Sequence, residues 1–97
     1  MYVSELVQNI YRRPEILTGM DLETTRKAKT EIEEIVAKFD VHVKKLAKAW
    51  EDDYNANSNG NEWYWSQEFE KFNNAFLAKG VWDQILVCVD AHLAGEL

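Results

Sequence analysis

The stretch IEEIVAKFDVHVKKLAKAW, residues 32–50, decides the fold. Its apolar side chains recur at intervals of four, three, four, three and four residues, which is the spacing of one face of an α-helix. These positions are Ile32, Val36, Phe39, Val43, Leu46 and Trp50. No Gly or Pro interrupts residues 20–59. We therefore predict one long helix over residues 21–52.

This helix is long for so short a chain. If it is helical from Leu22 to Trp50, it measures about 43 Å at a rise of 1.5 Å per residue. A compact chain of 97 residues has a radius of gyration of only about 12 to 13 Å. We therefore expect the helix to bend, to split near Asp40, or to project one end from the body. A projecting amphipathic end is a natural binding surface for a partner or a second copy.

Apolar residues at helical spacing on both sides of this segment predict three shorter helices, over residues 2–13, 62–79 and 81–94. Pro14 ends the first of them, and Lys79-Gly80 is a fitting stop between the last two. The fold class is therefore all-α. We expect a small single-domain helical bundle of three to four helices with one long central helix.

The connections between these helices carry typical turn and cap residues. Residues 55–61, Asn-Ala-Asn-Ser-Asn-Gly-Asn, form the clearest loop, because Asn, Ser and Gly favour turns. At the start of the long helix two N-caps compete. Asp21 precedes Leu22 directly, while Thr18 with Asp21 three residues later imitates a capping box. Either cap begins a helix near residue 20.

The composition excludes several classes of protein. With 46% apolar residues, 29% charged residues, one Pro and four Gly, the chain is neither disordered nor collagenous. No apolar run approaches the roughly 18 to 20 residues of a membrane span, and the first residues lack the order of a signal peptide. Cys88 is a lone cysteine and cannot form an internal disulfide. We therefore expect a cytoplasmic protein.

Negative charge and tryptophan are concentrated in the second half of the chain. Residues 51–97 contain nine acids and two bases, whereas residues 1–50 contain eight acids and nine bases. Three of the four tryptophans also lie in residues 51–97. The net charge of −6 disfavours direct binding to nucleic acid or to anionic lipid. A partner that is basic around an apolar pocket would suit this half of the chain.

Two interpretations of this acidic, aromatic half remain open. In the first, Trp65 and the phenylalanines form core while the acids solvate the outer face. In the second, the half is an interaction surface, because a helix that begins near Asn61 cannot point three successive aromatic residues inward. Trp and Tyr are also enriched at binding hot spots. The candidate partner-binding residues are Trp63, Tyr64, Trp82, Glu51, Asp52, Asp53, Glu62 and Glu68.

Residues that could support catalysis or bind a metal are few. The chain has no Gly-rich phosphate loop, no nucleophile elbow, no His-Glu-x-x-His and no Cys-x-x-Cys. Cys88 and His92 lie one helical turn apart, but two ligands do not fill a zinc shell, and a small thiol in an apolar run is ordinarily buried. We expect no enzyme activity, no catalytic or metal site and no cofactor.

These features favour a small acidic protein-binding module. In size, acidity and tryptophan content the chain resembles, in type and over no particular residues, phage and mobile-element proteins that bind and disable a host complex. That resemblance implies an inhibitor or adaptor of a host complex. The acidic charge adds nucleic-acid-handling machinery as a candidate target, with an acidic surface that imitates nucleic acid as one means. The alternative is a structural or regulatory homodimer that associates through the stripe from Ile32 to Trp50.

Overall fold

The computed structural model describes residues 3–61 and 64–95. The chain forms α1 (Glu5–Arg12), a 3₁₀ helix (Pro14–Gly19), α2 (Leu22–Asn57) and α3 (Gln67–Leu93). No β-strand occurs within these two ranges. The predicted all-α bundle with one long central helix is confirmed.

Each α-helix begins at a residue whose side chain caps it. Ser4, Asp21 and Ser66 each accept a hydrogen bond from the backbone N–H three residues later, at 3.0 to 3.3 Å. These bonds satisfy N–H groups that have no partner inside the helix. Asp21, and not Thr18, is therefore the N-cap of α2. The first predicted helix begins later than expected, after Ser4.

α2 is a single unbroken helix of 36 residues, about 54 Å long. It therefore spans most of a molecule that measures 55 × 23 × 19 Å, with a radius of gyration of 17.3 Å. Of the three expected arrangements, the structure shows a helix that projects from the body. α2 also continues past the predicted end at residue 52 into the predicted loop. The turn follows at Asn59 and Gly60, whose φ angles of 52° and 78° are left-handed.

The prediction of two helices with a stop at Lys79-Gly80 is wrong, because α3 runs through both residues. A glycine inside a helix costs about 1 kcal/mol relative to alanine. Trp82, Ile85 and Val89 are buried in the core on the far side of Gly80. Their burial stabilises a continuous helix by more than the glycine costs, at roughly 1.5 to 3 kcal/mol per large apolar side chain.

The aliphatic core lies at one end of the molecule, where all four helical elements meet. We call this end the body. Its buried residues are Val7, Ile10, Leu17, Ala28, Ile32, Ile35, Trp82, Ile85 and Val89. Polar contacts join the same elements, since the Ser4 backbone N–H donates to Glu31 Oε2 at 2.8 Å and Lys29 Nζ lies 3.0 Å from Asp90 Oδ1.

Beyond the body, the second half of α2 and the first half of α3 continue as a two-helix hairpin, which we call the projecting hairpin. No α2 residue after Ile35 is fully buried. Val43, Leu46 and Trp50, which belong to the predicted stripe, are only partly covered there. The stripe that we expected to be offered to a second copy therefore faces α3 within the same chain.

Candidate functional site

Aromatic rings hold the projecting hairpin together. The ring of Trp50 stacks on Phe72 with centroids 5.6 Å apart and planes at 16°, and it contacts Phe69 at 5.2 Å. Trp65 meets Phe69 edge-on at 5.8 Å, and Phe76 follows Phe72 at 5.9 Å. Such pairs contribute about 0.5 to 1.5 kcal/mol each beyond their buried area. This end of the molecule is therefore stable without a sealed aliphatic core.

Tyr64 closes the tip of the projecting hairpin. Its hydroxyl donates to Asp53 Oδ2 at 3.2 Å, and its ring lies edge-on to Tyr54 at 6.3 Å. Burial, followed by the negative charge of Asp53 and this hydrogen bond, raises the pKa of Tyr64 above its usual value. The amide of Asn57 donates to the other oxygen of Asp53 at 2.9 Å. The carboxylate of Asp53 is therefore engaged within the hairpin.

An open groove of about 530 Å³ runs along α2 beside these rings, which we call the aromatic groove. Ala47, Trp50, Glu51 and Tyr54 line it. The spacing of three, one and three residues places all four on one side of the helix. The floor is apolar, and one carboxylate stands at the rim.

Glu51 is the distinctive group of this groove. It is exposed, and it makes no hydrogen bond or ion pair with any of residues 3–61 and 64–95. A rim carboxylate beside an apolar floor can pair with a Lys or Arg while an apolar side chain of the same partner enters the groove.

The other predicted acids are distributed differently. Successive residues of a helix point about 100° apart, so Glu51, Asp52 and Asp53 face three directions. Asp52 pairs with Lys48 at 3.0 Å, and this hydrogen bond, with the charge of Asp52, raises the pKa of Lys48. Glu68 lies 3.7 Å from Lys71. Only Glu51 of these predicted acids lines the aromatic groove.

Trp82, which the sequence predicts to be a partner-binding residue together with Glu51 and Tyr64, lies in the body. It is only 9% exposed, and its ring packs on Tyr11 with centroids 4.9 Å apart. Thirteen residues of helix, about 20 Å, separate it from Phe69. Its remaining exposed edge lines a different groove together with Val3, Gln8, Tyr11 and Arg12. The structure therefore does not bring Trp82 together with Glu51 or Tyr64.

The predicted contacts Glu62 and Trp63 lie outside the described residues.

Three residues at this end were not among the predicted contacts. The sequence places Trp50 in the helix stripe and, under the first of the two interpretations, Trp65 in the core, yet Trp65 is 66% exposed. Tyr54 was placed beyond the predicted end of the helix. The spacing of Ala47, Trp50 and Tyr54 is the signal that identifies them, because it marks one helix face once α2 is extended to Asn57.

The described residues offer little metal or thiol chemistry. No group of three or more His, Cys, Asp or Glu side chains among residues 3–61 and 64–95 could hold a metal ion. Cys88 is partly buried, and His92 Nε2 is bonded to the Met20 carbonyl oxygen at 3.0 Å. No helix in the described part of the chain is long and apolar enough to cross a membrane.

Comparison with protein-family models, with curated proteins and with solved structures gives no match to this chain. What the chain binds must therefore be inferred from its own surfaces.

Proposed function

We propose that this chain is a protein-binding module that acts as an inhibitor or adaptor of a host macromolecular complex, and that it captures its partner in the aromatic groove. The observation that carries the proposal is the position of Glu51, an exposed carboxylate of an apolar groove that makes no hydrogen bond or ion pair with residues 3–61 and 64–95. The partner is a protein segment with an apolar side chain flanked by Lys or Arg. Such segments occur on nucleic-acid-handling proteins, whose surfaces are basic.

The surrounding residues support this mode of binding. Trp65 stands exposed beside Phe69, which in turn contacts the groove residue Trp50. Exposed Trp next to a preformed apolar groove is typical of a binding hot spot, since a rigid ring loses little entropy when it is covered. The ring pairs behind the groove hold it in shape before a partner arrives, which lowers the cost of binding.

The arrangement of the acids favours a single docking groove over an imitation of nucleic acid. A mimic needs rows of negative charge at regular spacing, but Glu51, Asp52 and Asp53 diverge around α2, and two of them are engaged by neighbours. We therefore place affinity in the aromatic groove, with the net charge of −6 steering a basic partner towards it. The lone Cys88 is consistent with action in the cytoplasm, where thiols stay reduced.

The test compares the proteins that the wild-type chain and the Glu51→Lys variant capture from a cell lysate, at low and at high salt. Reversal of the rim charge should abolish capture of the specific partner, and high salt should weaken capture by the wild type. The matched control is Glu34→Lys, an exposed acid of α2 that lines no groove with Trp50. It makes the same charge change elsewhere on the same helix.

A second variant, Trp65→Ala, removes the exposed ring and leaves the charge unchanged. Mass spectrometry then identifies proteins that the wild type and Glu34→Lys capture but that Glu51→Lys and Trp65→Ala lose. Such a protein supports the proposal, and a direct titration with it gives the affinity. Identical sets of captured proteins for all four chains would refute the assignment of the aromatic groove.

A further inference from the structure

The outer side of α3 carries no charged side chain over five helical turns. We call this surface the uncharged face. Its residues recur at intervals of four, three, four, three and four, which keeps them in one stripe along the helix. They are Asn73, Leu77, Gly80, Gln84, Val87 and Ala91. All but Ala91, which is partly covered, are exposed.

Large apolar side chains stand in solvent on this face. Leu77 is 58% exposed and Val87 is 59% exposed. Phe76 and Val81 flank the stripe and are also exposed. A helix that is apolar on both its inner and outer sides is ordinarily covered on both. Among residues 3–61 and 64–95, only the inner side of α3 is covered, by α2 and the body.

The charged side chains between Asn73 and Ala91 are Lys79, Asp83 and Asp90, which lie beside the stripe and are paired with other residues. Lys79 pairs with Asp83 at 3.0 Å, and Asp90 pairs across to Lys29 of α2 at the edge of the face. His92 is bonded to the carbonyl oxygen of Met20. α3 therefore contains charged residues, but it carries them outside the uncharged face.

The solvent side of α2 provides an internal comparison. At the corresponding outer positions it carries one exposed large apolar residue, Val41, among charged, exposed side chains, which are Lys27, Glu34, Lys38, Lys45 and Asp52. Both helices belong to the same hairpin and both have an outer side. Only the outer side of α3 lacks the charges that keep an exposed helix in water.

From this contrast we infer that the uncharged face binds a second copy of this chain, in an antiparallel, two-fold symmetric dimer. The spacing of the stripe, which matches itself in the antiparallel direction, selects a second copy as the occupant, and charge limits the surface through which two copies can meet. Each copy carries a net charge of −6, so two copies can approach closely only through a surface that brings no carboxylates together. The acid nearest to the stripe, Asp90, lines a groove with Val87 and Ala91 but is already paired with Lys29, so it offers a basic partner little. The site is separate from the aromatic groove and does not depend on the proposed function.

The stripe is also complementary to itself when it is read in the antiparallel direction. Leu77 then meets Val87 of the partner subunit, and Gln84 lies over Gly80 of the partner subunit. Two-fold symmetry makes each contact twice. A Cβ added at Gly80 meets nothing within 4 Å in the single chain, so packing inside the chain does not require this glycine. Close approach of a second helix accounts for its presence despite its cost in a helix interior.

The test is the mass of the purified chain in solution, measured by sedimentation equilibrium from micromolar to near-millimolar concentration. The wild type should approach twice 11.3 kDa. Leu77→Glu and Val87→Glu should each raise the dissociation constant by about a hundredfold or more, because a desolvated carboxylate in the interface costs several kcal/mol. Both positions are exposed in the single chain, so the helical circular dichroism should be unchanged.

Two further variants separate this interface from a general effect of surface charge or hydrophobicity. Val41→Glu places the same charge at a valine that is 68% exposed on α2, and it should leave the dimer intact. Gly80→Leu should weaken the dimer while it preserves or improves the helix of the single chain. A wild type that stays at 11.3 kDa at every concentration would overturn the inference, as would a dimer that survives Leu77→Glu and Val87→Glu.

The antiparallel arrangement has its own readout. In a Cys88→Ser background, Leu77→Cys chains are mixed with Val87→Cys chains and treated with a short bis-maleimide linker. The mixed pair should crosslink faster than either variant alone, because the two-fold axis places these positions opposite each other. Faster crosslinking of Leu77→Cys with itself would contradict the antiparallel arrangement.

Discussion

His92 Nε2 lies 3.0 Å from the carbonyl oxygen of Met20, a residue 72 positions earlier in the chain. A carbonyl oxygen only accepts hydrogen bonds, so Nε2 carries the proton and donates it. The bond ties the last turn of α3 to the junction between the 3₁₀ helix and α2. It fixes the angle at which the chain enters the long helix.

Replacement of His92 by Leu should lower the free energy of unfolding by about 1 to 3 kcal/mol, because the Met20 carbonyl loses its partner in a partly buried place. Urea unfolding followed by circular dichroism measures the change. The other histidine provides the control, since His42 is exposed on α2 and His42→Leu should have little effect. Equal stabilities of the two variants would show that the bond contributes nothing.

Replacement of Trp82 should destabilise the protein far more than replacement of Trp65. Trp82 is buried in the body and Trp65 is mostly exposed. We expect Trp82→Ala to cost about 3 to 5 kcal/mol of unfolding free energy, which is the usual cost for a buried aromatic residue. Trp65→Ala removes mainly an edge contact with Phe69 and should cost about 1 kcal/mol or less. Thermal unfolding measures the stability of both variants. A Trp82→Ala protein that is more stable than Trp65→Ala would contradict the burial of the Trp82 ring.

The sequence predicts α2 well because its apolar spacing is strict and nothing interrupts it. It fails at Gly80, where Lys-Gly has the local chemistry of a helix end. Only the burial of Trp82 and Ile85 against distant residues of the body makes the helix continue, and a local pattern does not contain that information. The error in α3 therefore reflects tertiary packing that overrides a local signal.

The candidate site was only partly predictable for a related reason. With a helix that ends at residue 52, Asp53 and Tyr54 lie beyond the helix and their direction is not defined. The helix in fact reaches Asn57, which turns Asp53 towards Tyr64 and adds Tyr54 to the helix face of Ala47 and Trp50. The additional helical residues therefore complete the groove beside Glu51.

The start of α3 depends on a cap that can be tested by itself. The Ser66 hydroxyl accepts from the Phe69 N–H at 3.1 Å and is buried. Ser66→Ala should lower the free energy of unfolding by about 1 kcal/mol, because an N-terminal N–H of the helix loses its acceptor. Ser66→Thr keeps the oxygen and should retain most of the stability. Chemical denaturation of the pair checks this, and an alanine variant as stable as wild type would argue against the cap.

The N-cap of α2 predicts a specific dependence of stability on pH. Hydrogen bonds from the Thr24 side chain and backbone lower the pKa of Asp21 below its ordinary value of 3.8. A carboxyl whose pKa is lowered by folding stabilises the native state above its unfolded pKa, and this contribution is lost as pH falls through the folded pKa. Asn caps a helix about as well but does not titrate. Asp21→Asn should therefore lose less stability than wild type between neutral pH and about pH 3, as measured by urea unfolding at both values. An Asp21→Asn profile parallel to wild type would refute the role of the cap.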